Sequence, residues 1–512
     1  AATKAERNYM QYLLNAEQMK SADSHTIQDL GVSSRTLMER AAAACTDYIE
    51  EQKWPLTHVC IVCGSGNNGG DGFAIGSILK EKGCQVTAVF AGRMASRTEE
   101  CIYQMHKFEQ RGGILLSEWQ DNDYSIVIDA LFGVGLNREI TGHYLEMLQY
   151  MNMSPGRKLA VDIPSGISAT DGRVFGEAFQ ADATVTFQER KLGLFLFPGA
   201  LYTGKVCVAD IGIDSFTVKE QPGTAYALEM SDIAKLLPER PPYAHKGTFG
   251  KLLLIAGSNG MAGAAFLSAC AAYRMGAGLV RIYTTEDNRS ILQQLIPEAI
   301  ITTYREYDEE SLLSVLEWAD AVCIGSGLGR SDVADLIVNT VLKEINVPCL
   351  IDADGINILA AHPEWKDLLA EGNYVLTPHL KELSRLTGRS VSEIQMHRRE
   401  VLEQTVRALD VTLVQKDART FVEAKGRRMY VNLTGNAAMA KAGSGDVLAG
   451  VIGGLMVQGC DNYDAAVLGV YLHGLAGDIA RNEMGCYSVL ARDLADTLGS
   501  AIQMTENWKA EK

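Results

Sequence analysis

Short runs of valine, isoleucine and leucine alternate with stretches of helical pattern along most of the chain. The alternation begins near residue 57, continues to about residue 215 and starts again at Lys251. The runs at 58–63 and 251–257 have no regular polar face, which is typical of strands buried in a parallel sheet. The pattern therefore predicts an α/β protein with two doubly wound domains, each built as α/β/α layers.

A segment rich in chain breakers separates the two series of strands. Residues 214–250 contain Gln221-Pro-Gly and the run Pro238-Glu-Arg-Pro-Pro242. The length of 512 residues also exceeds what one hydrophobic core supports. We expect a boundary between 220 and 240, giving domains 1–225 and 226–512, and we set the first few residues aside from the interpretation of the fold.

Composition limits the class of partner. The chain has 63 acidic and 47 basic residues and a net charge of -16, which argues against nucleic acid and membrane surfaces and favours small molecules. An apolar run long enough to span a bilayer and a hydrophobic signal core are both missing, so we expect a cytoplasmic protein. The eleven scattered cysteines, including Cys60 and Cys63, predict reduced core thiols.

A glycine-rich segment follows the first predicted strand. Residues 64–72 read as a loop before a helix over 73–82, and Gly64, Gly66 and Gly69 match the G-x-G-x-x-G spacing. A dinucleotide-binding dehydrogenase is therefore one alternative. The acidic residue that this fingerprint expects after the next strand is absent, because that strand ends in Ala-Gly-Arg93.

Two further predicted strands of the first domain end in aspartate. Asp129 and Asp162 follow buried runs, and the ends of parallel strands gather at one edge of a sheet. Asn68, Asp129 and Ser165 could share a hard cation, and residues 133–138 could cradle a phosphate. Each aspartate alone could instead cap a turn or a helix. The sequence does not distinguish a solvated from a catalytic Lys191.

These residues resemble a known family. Asn67-Asn-Gly-Gly-Asp-Gly72, Asp129-Ala-Leu-Phe-Gly-Val-Gly135 and Asp162-Ile-Pro-Ser-Gly166 are similar to the motifs of the YjeF-type NAD(P)H-hydrate epimerase domain, a Rossmann-like fold, over about residues 10–220. The resemblance implies a K⁺ site at Asn68, Asp129 and Ser165, and acid/base work by Asp162 assisted by Lys191. It implies substrate contacts at Asn67, Asn68, Gly69, Gly70, Asp71, Gly133, Val134, Gly135, Leu136, Asn137, Arg138, Glu139 and Asp162.

The second domain carries an anion-binding pattern near its end. Gly443-Ser-Gly-Asp446 opens a helix of small apolar residues, where free N–H groups can hold a phosphate and Asp446 can take a proton from a hydroxyl. A glycine turn followed by an ordinary acidic helix start is the alternative. Lys416 and Arg419 follow another strand and could contact phosphate or lie exposed at a turn.

The order of motifs resembles the ribokinase-like superfamily, and within it the NAD(P)H-hydrate dehydratase branch, over about residues 226–505. The motifs are His245-Lys-Gly-Thr-Phe-Gly-Lys251, Gly325-Ser-Gly-Leu-Gly329, Asp352-Ala-Asp354, Thr377-Pro-His379 and Gly443-Ser-Gly-Asp446, with Ser326 where many relatives have proline. The resemblance implies nucleotide contacts at Lys416, Asp417, Ala418, Arg419, Thr420, Gly443, Ser444 and Gly445, and hydrate contacts at Ala264, Gly329, His379 and Asp446.

Together the two resemblances imply a bifunctional metabolite repair enzyme. It would epimerise the R and S forms of hydrated NADH and NADPH (NADHX and NADPHX) and dehydrate the S form with ADP or ATP and Mg²⁺, Asp446 being the base. Two alternatives stay open: a sugar or vitamin kinase fused to a dinucleotide-sensing module, and a first domain that binds without catalysis. We expect a homo-oligomer.

Overall fold

The computed structural model describes residues 10–371 and 373–510. Residues 1–9, most of the start that we set aside, lie outside the described residues. The chain separates into two compact units. Tyr12–Ala225 forms the first unit, and the residues from Tyr226 onward form the second together with Met10 and Gln11.

The first unit is built on a seven-stranded sheet in which every pair is parallel. The strand order is β4-β3-β2-β5-β6-β7-β9, and β1 pairs in parallel with β8 apart from it. The strands are β1 Gln11–Leu14, β2 His58–Cys63, β3 Gln85–Phe90, β4 Ile114–Leu116, β5 Ile126–Ala130, β6 Arg157–Val161, β7 Ala183–Phe187, β8 Arg190–Lys191 and β9 Lys205–Ala209. The helices are α1 Ala16–Gln28, α2 Ser34–Glu51, α3 Asn67–Glu81, α4 Glu99–Gln110, α5 His143–Met153 and α6 Phe216–Lys219.

The order of this sheet reverses at β2, which lies between β3 and β5. The chain therefore leaves β2 and β5 in opposite directions, and a crevice opens between their carboxyl ends. The two exit loops contact each other directly, because a Cβ on Gly64 would lie 2.0 Å from the carbonyl oxygen of Leu131. The sheet topology thus brings the glycine segment and the loop after Asp129 together.

Helix α3 begins earlier than the sequence analysis predicted. It starts at Asn67, so residues 67–72 form its first turns and are not loop. A Cβ on Gly69 would lie 1.9 Å from the carbonyl oxygen of Gly64, and one on Gly72 would lie 2.6 Å from Cβ of Ala130. These glycines allow the helix to pack directly on the strand ends, which is why the segment is helical despite its composition.

The second unit contains a sheet of the order β13-β12-β11-β14-β15-β16-β17-β18-β19-β10, parallel from β13 to β17 and antiparallel at the β17–β18 and β18–β19 pairs. The strands are β10 Ala225–Ala227, β11 Lys251–Ile255, β12 Leu279–Thr285, β13 Ile300–Tyr304, β14 Ala321–Ile324, β15 Cys349–Ile351, β16 Tyr374–Leu376, β17 Thr412–Gln415, β18 Phe421–Glu423 and β19 Tyr430–Val431. The helices are α7 Met230–Leu236, α8 Ala262–Arg274, α9 Arg289–Leu295, α10 Glu309–Trp318, α11 Asp332–Glu344, α12 Asp354–Ala361, α13 Leu380–Thr387, α14 Val391–Met396, α15 Arg398–Leu409, α16 Ser444–Met456, α17 Asn462–Met484 and α18 Ala491–Ala510.

The loops after β11 and β14 meet in the same way as those of the first unit. The backbone N–H of Gly257 donates to the carbonyl of Ser326 at 3.0 Å, across the point where the strand order reverses. Helix α16 packs closely on α8, since a Cβ on Gly450 would lie 2.1 Å from the carbonyl oxygen of Ser268. The small residues of these helices therefore bring the start of α16 next to the strand ends.

The structure bears on the cysteines and on the search for membrane-spanning helices. All eleven cysteines are free thiols, and burial raises the pKa of Cys60 to about 12, in keeping with a packing role. Across residues 10–371 and 373–510, no helix combines the length and apolar character that crossing a membrane requires.

Candidate functional site

Asp162 occupies the end of β6 in the first unit, in a backbone conformation that side-chain-bearing residues rarely adopt. Its φ is +67°, which costs about 1–3 kcal/mol outside glycine and occurs most often at functional positions. Three groups donate to Oδ1: Lys191 Nζ at 2.6 Å, Thr186 Oγ1 at 3.1 Å and the backbone N–H of Phe187 at 3.0 Å. No donor to Oδ2 occurs among the described residues, which leaves that oxygen available to a ligand.

Lys191 is buried, with 1% of its side chain exposed. Its ammonium donates to Asp162 and to the carbonyl of Phe187, both at 2.6 Å. A solvated lysine, which the sequence left open, is therefore excluded. The ion pair fixes one carboxylate oxygen and neutralises a charge that burial alone would make costly.

A cavity of about 300 Å³ lies against Asp162 and contains two further carboxylates, Asp23 of α1 and Asp71 of α3. Burial raises the pKa of Asp71 well above its usual range, and the charges of Asp162 and Asp23 raise it further. Burial and then the charge of Asp162 also raise the pKa of Asp23. Carboxyl groups in such surroundings hold a proton at higher pH than usual, so the cavity can both donate and accept protons.

The predicted cation ligands Asp129 and Ser165 do lie together. Ser165 Oγ donates to Asp129 Oδ1 at 2.7 Å, its backbone N–H donates to Oδ2 at 2.7 Å, and the N–H of Leu131 donates to Oδ1 at 3.1 Å. Burial raises the pKa of Asp129 to about 6, although these bonds oppose the rise. Asn68, the third predicted ligand, lies beside Gly133, and its amide Nδ2 is buried without a partner within the described residues.

The predicted substrate contacts fall into three groups. Those that line the small cavity are Asn67, Asn68, Asp71, Gly133, Val134 and Asp162. Leu136, Arg138 and Glu139 line a second cavity of about 870 Å³, while Gly135 and Asn137 are exposed on the same loop. Gly69 and Gly70 are buried against protein: a Cβ on Gly70 would lie 2.8 Å from Met38 Cε.

The anion-binding pattern of the second unit lies at the start of α16, as predicted. Gly443 precedes the helix with φ +90°. The first helical hydrogen bond runs from the N–H of Val447 to the carbonyl of Gly443. The N–H groups of Gly445 and Asp446 therefore lie in the first turn, where helical N–H groups have no helical acceptor. A Cβ on Gly445 would lie 3.3 Å from Lys416 Nζ, so the helix start and the predicted phosphate-contacting lysine are adjacent.

Asp446 is surrounded by a network of charged and polar groups. Lys416 Nζ donates to Asp352 Oδ1 at 2.6 Å, and Thr377 Oγ1 donates to the same oxygen at 2.7 Å. Burial and the negative charge of Asp352 raise the pKa of Asp446 to about 6, while the Ser326 hydroxyl, which donates to Asp352 Oδ2 at 3.4 Å, and the charge of Lys416 oppose the rise. A carboxylate with this pKa is ionised at neutral pH yet basic enough to accept a proton.

The other predicted hydrate contacts lie in a loop, in a helix and at a helix start of the second unit. The N–H of Gly329 donates to Asp354 Oδ2 at 2.9 Å, and Ala264 of α8 is buried where Gly327 approaches it. His379 caps α13: its Nδ1 accepts from the N–H groups of Lys381 and Glu382, which places the ring proton on Nε2.

The turn between β17 and β18 comprises the predicted nucleotide contacts 416–420. Lys416 and Arg419 are partly buried, whereas Asp417 and Ala418 are exposed. Asp417 forms an ion pair with Arg398 at 2.7 Å, and the carbonyl of Thr420 accepts from Asn432. The sequence alternative of a fully exposed turn therefore does not describe the two basic residues.

Ser444 remains a predicted nucleotide contact at the start of α16. Its hydroxyl lies 3.5 Å from Nε2 of the buried His473, whose pKa burial lowers to about 4. The ring is therefore neutral near pH 7 and adds no charge to the anion site.

Sequence reasoning did not identify every group that contributes to the sites. Asp23 lies on α1, remote from the motifs, and carries no local signal. The sequence analysis listed Asp352 in a motif but did not predict its ion pair with Lys416. The signal that could have identified it is the position of an acidic residue directly after a buried strand, which had already identified Asp129 and Asp162.

Two family models match separate parts of the chain. The family model described as NAD(P)H-hydrate dehydratase matches residues 252–500, and the YjeF-related protein N-terminus model matches residues 34–193. A crystal structure of the ADP/ATP-dependent NAD(P)H-hydrate dehydratase from Bacillus subtilis, co-crystallised with ATP and Mg²⁺, is 30% identical. It covers 54% of this chain and 98% of its own, with a TM-score of 0.48.

Two curated relatives match almost the whole chain. The bifunctional NAD(P)H-hydrate repair enzyme of Moorella thermoacetica is 35% identical, with 97% of each chain covered. The enzyme of the same name from Escherichia coli is 33% identical, with 94% of this chain and 92% of its own covered. On this evidence the chain belongs to the family of bifunctional NAD(P)H-hydrate repair enzymes.

Proposed function

We propose that the first domain, for which we propose the bounds 1–225, interconverts the R and S epimers of NADHX and NADPHX. The second domain, with the proposed bounds 226–512, dehydrates the S epimer at the expense of ADP or ATP. The observation that carries the proposal is a carboxylate beside a lysine in each unit, Asp162 directly after β6 and Asp446 in the first turn of α16, in a chain of this family. The cytoplasmic location, the homo-oligomer and the lack of nucleic-acid or membrane partners remain predictions from sequence.

Epimerisation requires that C6 of the hydrated ring lose and regain its configuration. In our mechanism Asp162 accepts the proton of the C6 hydroxyl, a carbonyl forms at C6, and the bond from C6 to the ring nitrogen breaks. The nitrogen takes a proton from the carboxyl of Asp71, whose raised pKa suits it as a donor. Rotation and ring closure from the opposite face return both protons and give the other epimer.

Lys191 orients the base in this scheme. Its ammonium and the other two donors hold Oδ1 of Asp162, so that Oδ2 is the oxygen that faces the proton transfer. Because three bonds fix the carboxylate, little reorganisation is required when the substrate reacts. This is consistent with the backbone strain at Asp162, which the surrounding bonds offset.

Asn68, Asp129 and Ser165 are our proposed K⁺ ligands. The donor set fits a hard cation because all three side chains carry oxygen, and the Asp129 carboxylate retains lone pairs beyond those that Ser165 and Leu131 use. The ligand atom of Asn68 would be its amide oxygen, because the buried Nδ2, which lacks a partner among the described residues, is a donor and can pair only with an acceptor. A cation there would add positive charge beside the loop 132–139.

Dehydration in the second unit resembles a phosphoryl transfer. Asp446 accepts the proton of the C6 hydroxyl, whose oxygen attacks the terminal phosphorus of ADP or ATP, and AMP or ADP leaves. The ring nitrogen then expels phosphate from C6, and loss of the C5 proton restores the double bond. The N–H groups at the start of α16 and the Lys416 ammonium hold the phosphoryl oxygens. Mg²⁺, bound with the nucleotide, supplies neutralising charge.

The K⁺ assignment predicts a specific dependence of epimerisation on the monovalent cation. Replacing K⁺ with the smaller Na⁺ should slow conversion of the R epimer to the S epimer, measured by chromatography with nucleotide omitted so that dehydration does not run. An identical rate in both salts at equal ionic strength would contradict the assignment.

Asp446→Asn should reduce dehydration by roughly 10²–10⁴, because the amide cannot accept the proton of the hydroxyl. The rate is measured from the return of reduced-nicotinamide absorbance with purified S epimer, and the thermal unfolding midpoint checks the fold. Asp332→Asn is the matched control, since Asp332 is an exposed aspartate in the first turn of α11. Full dehydratase activity in a folded Asp446→Asn chain would rule out the role of base.

Ser326→Ala should move the acid limb of the dehydration pH profile. The wild type should lose activity as the pH falls below about 6, where Asp446 takes up its proton. The serine hydroxyl lowers the pKa of Asp446 and also donates to Asp352, whose negative charge raises that pKa. Removing the hydroxyl should therefore raise the pKa of Asp446 and move the limb to higher pH by about half to one pH unit. Ser392→Ala, an exposed serine of α14, is the control, and superimposable profiles of kcat/KM would contradict the proposed base.

A further inference from the structure

The larger cavity of the first unit shares a wall with the smaller one. It has a volume of about 870 Å³ and lies at the carboxyl ends of β3 and β4, next to Phe90 and Leu116. Loop 132–139 lines both cavities, since Gly133 and Val134 line the small one while Leu136, Arg138 and Glu139 line the large one. A ligand held by this loop can therefore extend from one cavity into the other.

The small cavity is too small for the proposed substrate. Its 300 Å³ lies at the lower limit of pockets that hold drug-sized ligands, roughly 300–1,000 Å³, and a hydrated dinucleotide is larger than such a ligand. The reacting ring must lie beside Asp162, so the nucleoside at the other end must lie outside the small cavity. The shared loop leads to the larger cavity, which has the volume to accept it.

The walls of the larger cavity suit a nucleoside base. Phe90, Phe132 and Tyr144 line it, and the rings of Phe132 and Tyr144 are in edge contact with centroids 5.0 Å apart. Aromatic faces stack on purines regardless of sequence context. Glu139 adds a carboxylate that can accept a hydrogen bond from an exocyclic amino group or a ribose hydroxyl. The cavity thus offers stacking surface and an acceptor.

Two arginines lie at the margin of the cavity, Arg93 after β3 and Arg138 on the shared loop. Both are exposed, and neither forms an ion pair with a carboxylate of the described residues. In an acidic chain such unpaired guanidinium groups are suited to an anionic ligand. The loop after β3 also packs against the loop after β2, because a Cβ on Gly92 would lie 2.7 Å from the backbone nitrogen of Ser65.

We propose that the larger cavity binds the adenosine end of the substrate and that Arg93 and Arg138 bind its 2′-phosphate. In doubly wound dinucleotide folds, an acidic residue near the end of the second strand accepts from the 2′-hydroxyl, whereas a nearby arginine accommodates a 2′-phosphate. Here Arg93 follows the end of β3 and no acidic residue stands at that strand end. The inference rests on the proposed epimerase function and adds to it a preference for NADPHX over NADHX.

A binding experiment tests the proposal without requiring activity. The full chain is titrated with adenosine 2′,5′-bisphosphate and with adenosine 5′-phosphate by calorimetry. The wild type should bind the bisphosphate more tightly, and Arg93→Gln and Arg138→Gln should each lower that preference by about tenfold, as expected for one charge-assisted contact. Arg173→Gln, which removes an arginine paired with Asp171 in the same unit, should leave the preference unchanged.

Epimerisation of purified R epimers, with nucleotide omitted, provides the second readout. Arg93→Gln should raise KM for NADPHX about tenfold, with kcat and both constants for NADHX unchanged. Wild-type binding that prefers the bisphosphate and depends on Arg93 supports the inference even if the chain epimerises neither substrate, a result that would remove only the proposed epimerase activity. Equal binding of both nucleotides by the wild type, or a preference that survives in both arginine variants, would overturn it.

Discussion

An ion pair between an aspartate and a lysine, one of them buried, occurs in both units, and the geometry of each site depends on it. Asp162 and Lys191 form the pair in the first unit, and Asp352 and Lys416 form it in the second, each at 2.6 Å. Removing one partner of such a pair leaves an uncompensated buried charge, which is strongly destabilising. The pairs therefore hold their loops in one arrangement. In the second unit the two members of the pair act on Asp446 in opposite directions: the charge of Asp352 raises its pKa, which is about 6, and the charge of Lys416 lowers it.

Parallel sheet topology explains why these groups meet. In each unit the strand order reverses beside the first long strand, β2 or β11, so two loops meet at the carboxyl edge. In the first unit a glycine makes this contact possible, because a side chain at Gly64 would overlap the backbone of Leu131. In the second unit Gly325 allows the loops after β14 and β15 to approach each other equally closely, because a side chain there would overlap the backbone of Asp352. Short side chains in the loops thus place the polar groups close together, and the chemistry proposed for each unit uses this proximity.

Much of this arrangement could be predicted from the sequence, because buried strands and the polar residues after them are local patterns. The strand at 58–63, the start of α16 and the meeting of Asp129 with Ser165 are confirmed. The predicted start of α3 at residue 73 was wrong. Glycine composition indicates a loop, whereas close packing on β5 favours a helix from Asn67. The burial of Lys191 and the presence of Asp23 in the cavity depend on tertiary contacts that no local pattern encodes.

If both proposed activities are present, one chain returns both epimers of a hydrated cofactor to the reduced form. A mixture of the R and S epimers of NADPHX is supplied with K⁺, Mg²⁺ and ADP or ATP. Reduced-nicotinamide absorbance is followed to completion for the wild type and for Asp162→Asn. The wild type should reach full recovery, whereas the variant should stop near the S fraction apart from slow spontaneous epimerisation. Wild-type recovery that stops at the S fraction, or equal recovery in the variant, would contradict the proposal.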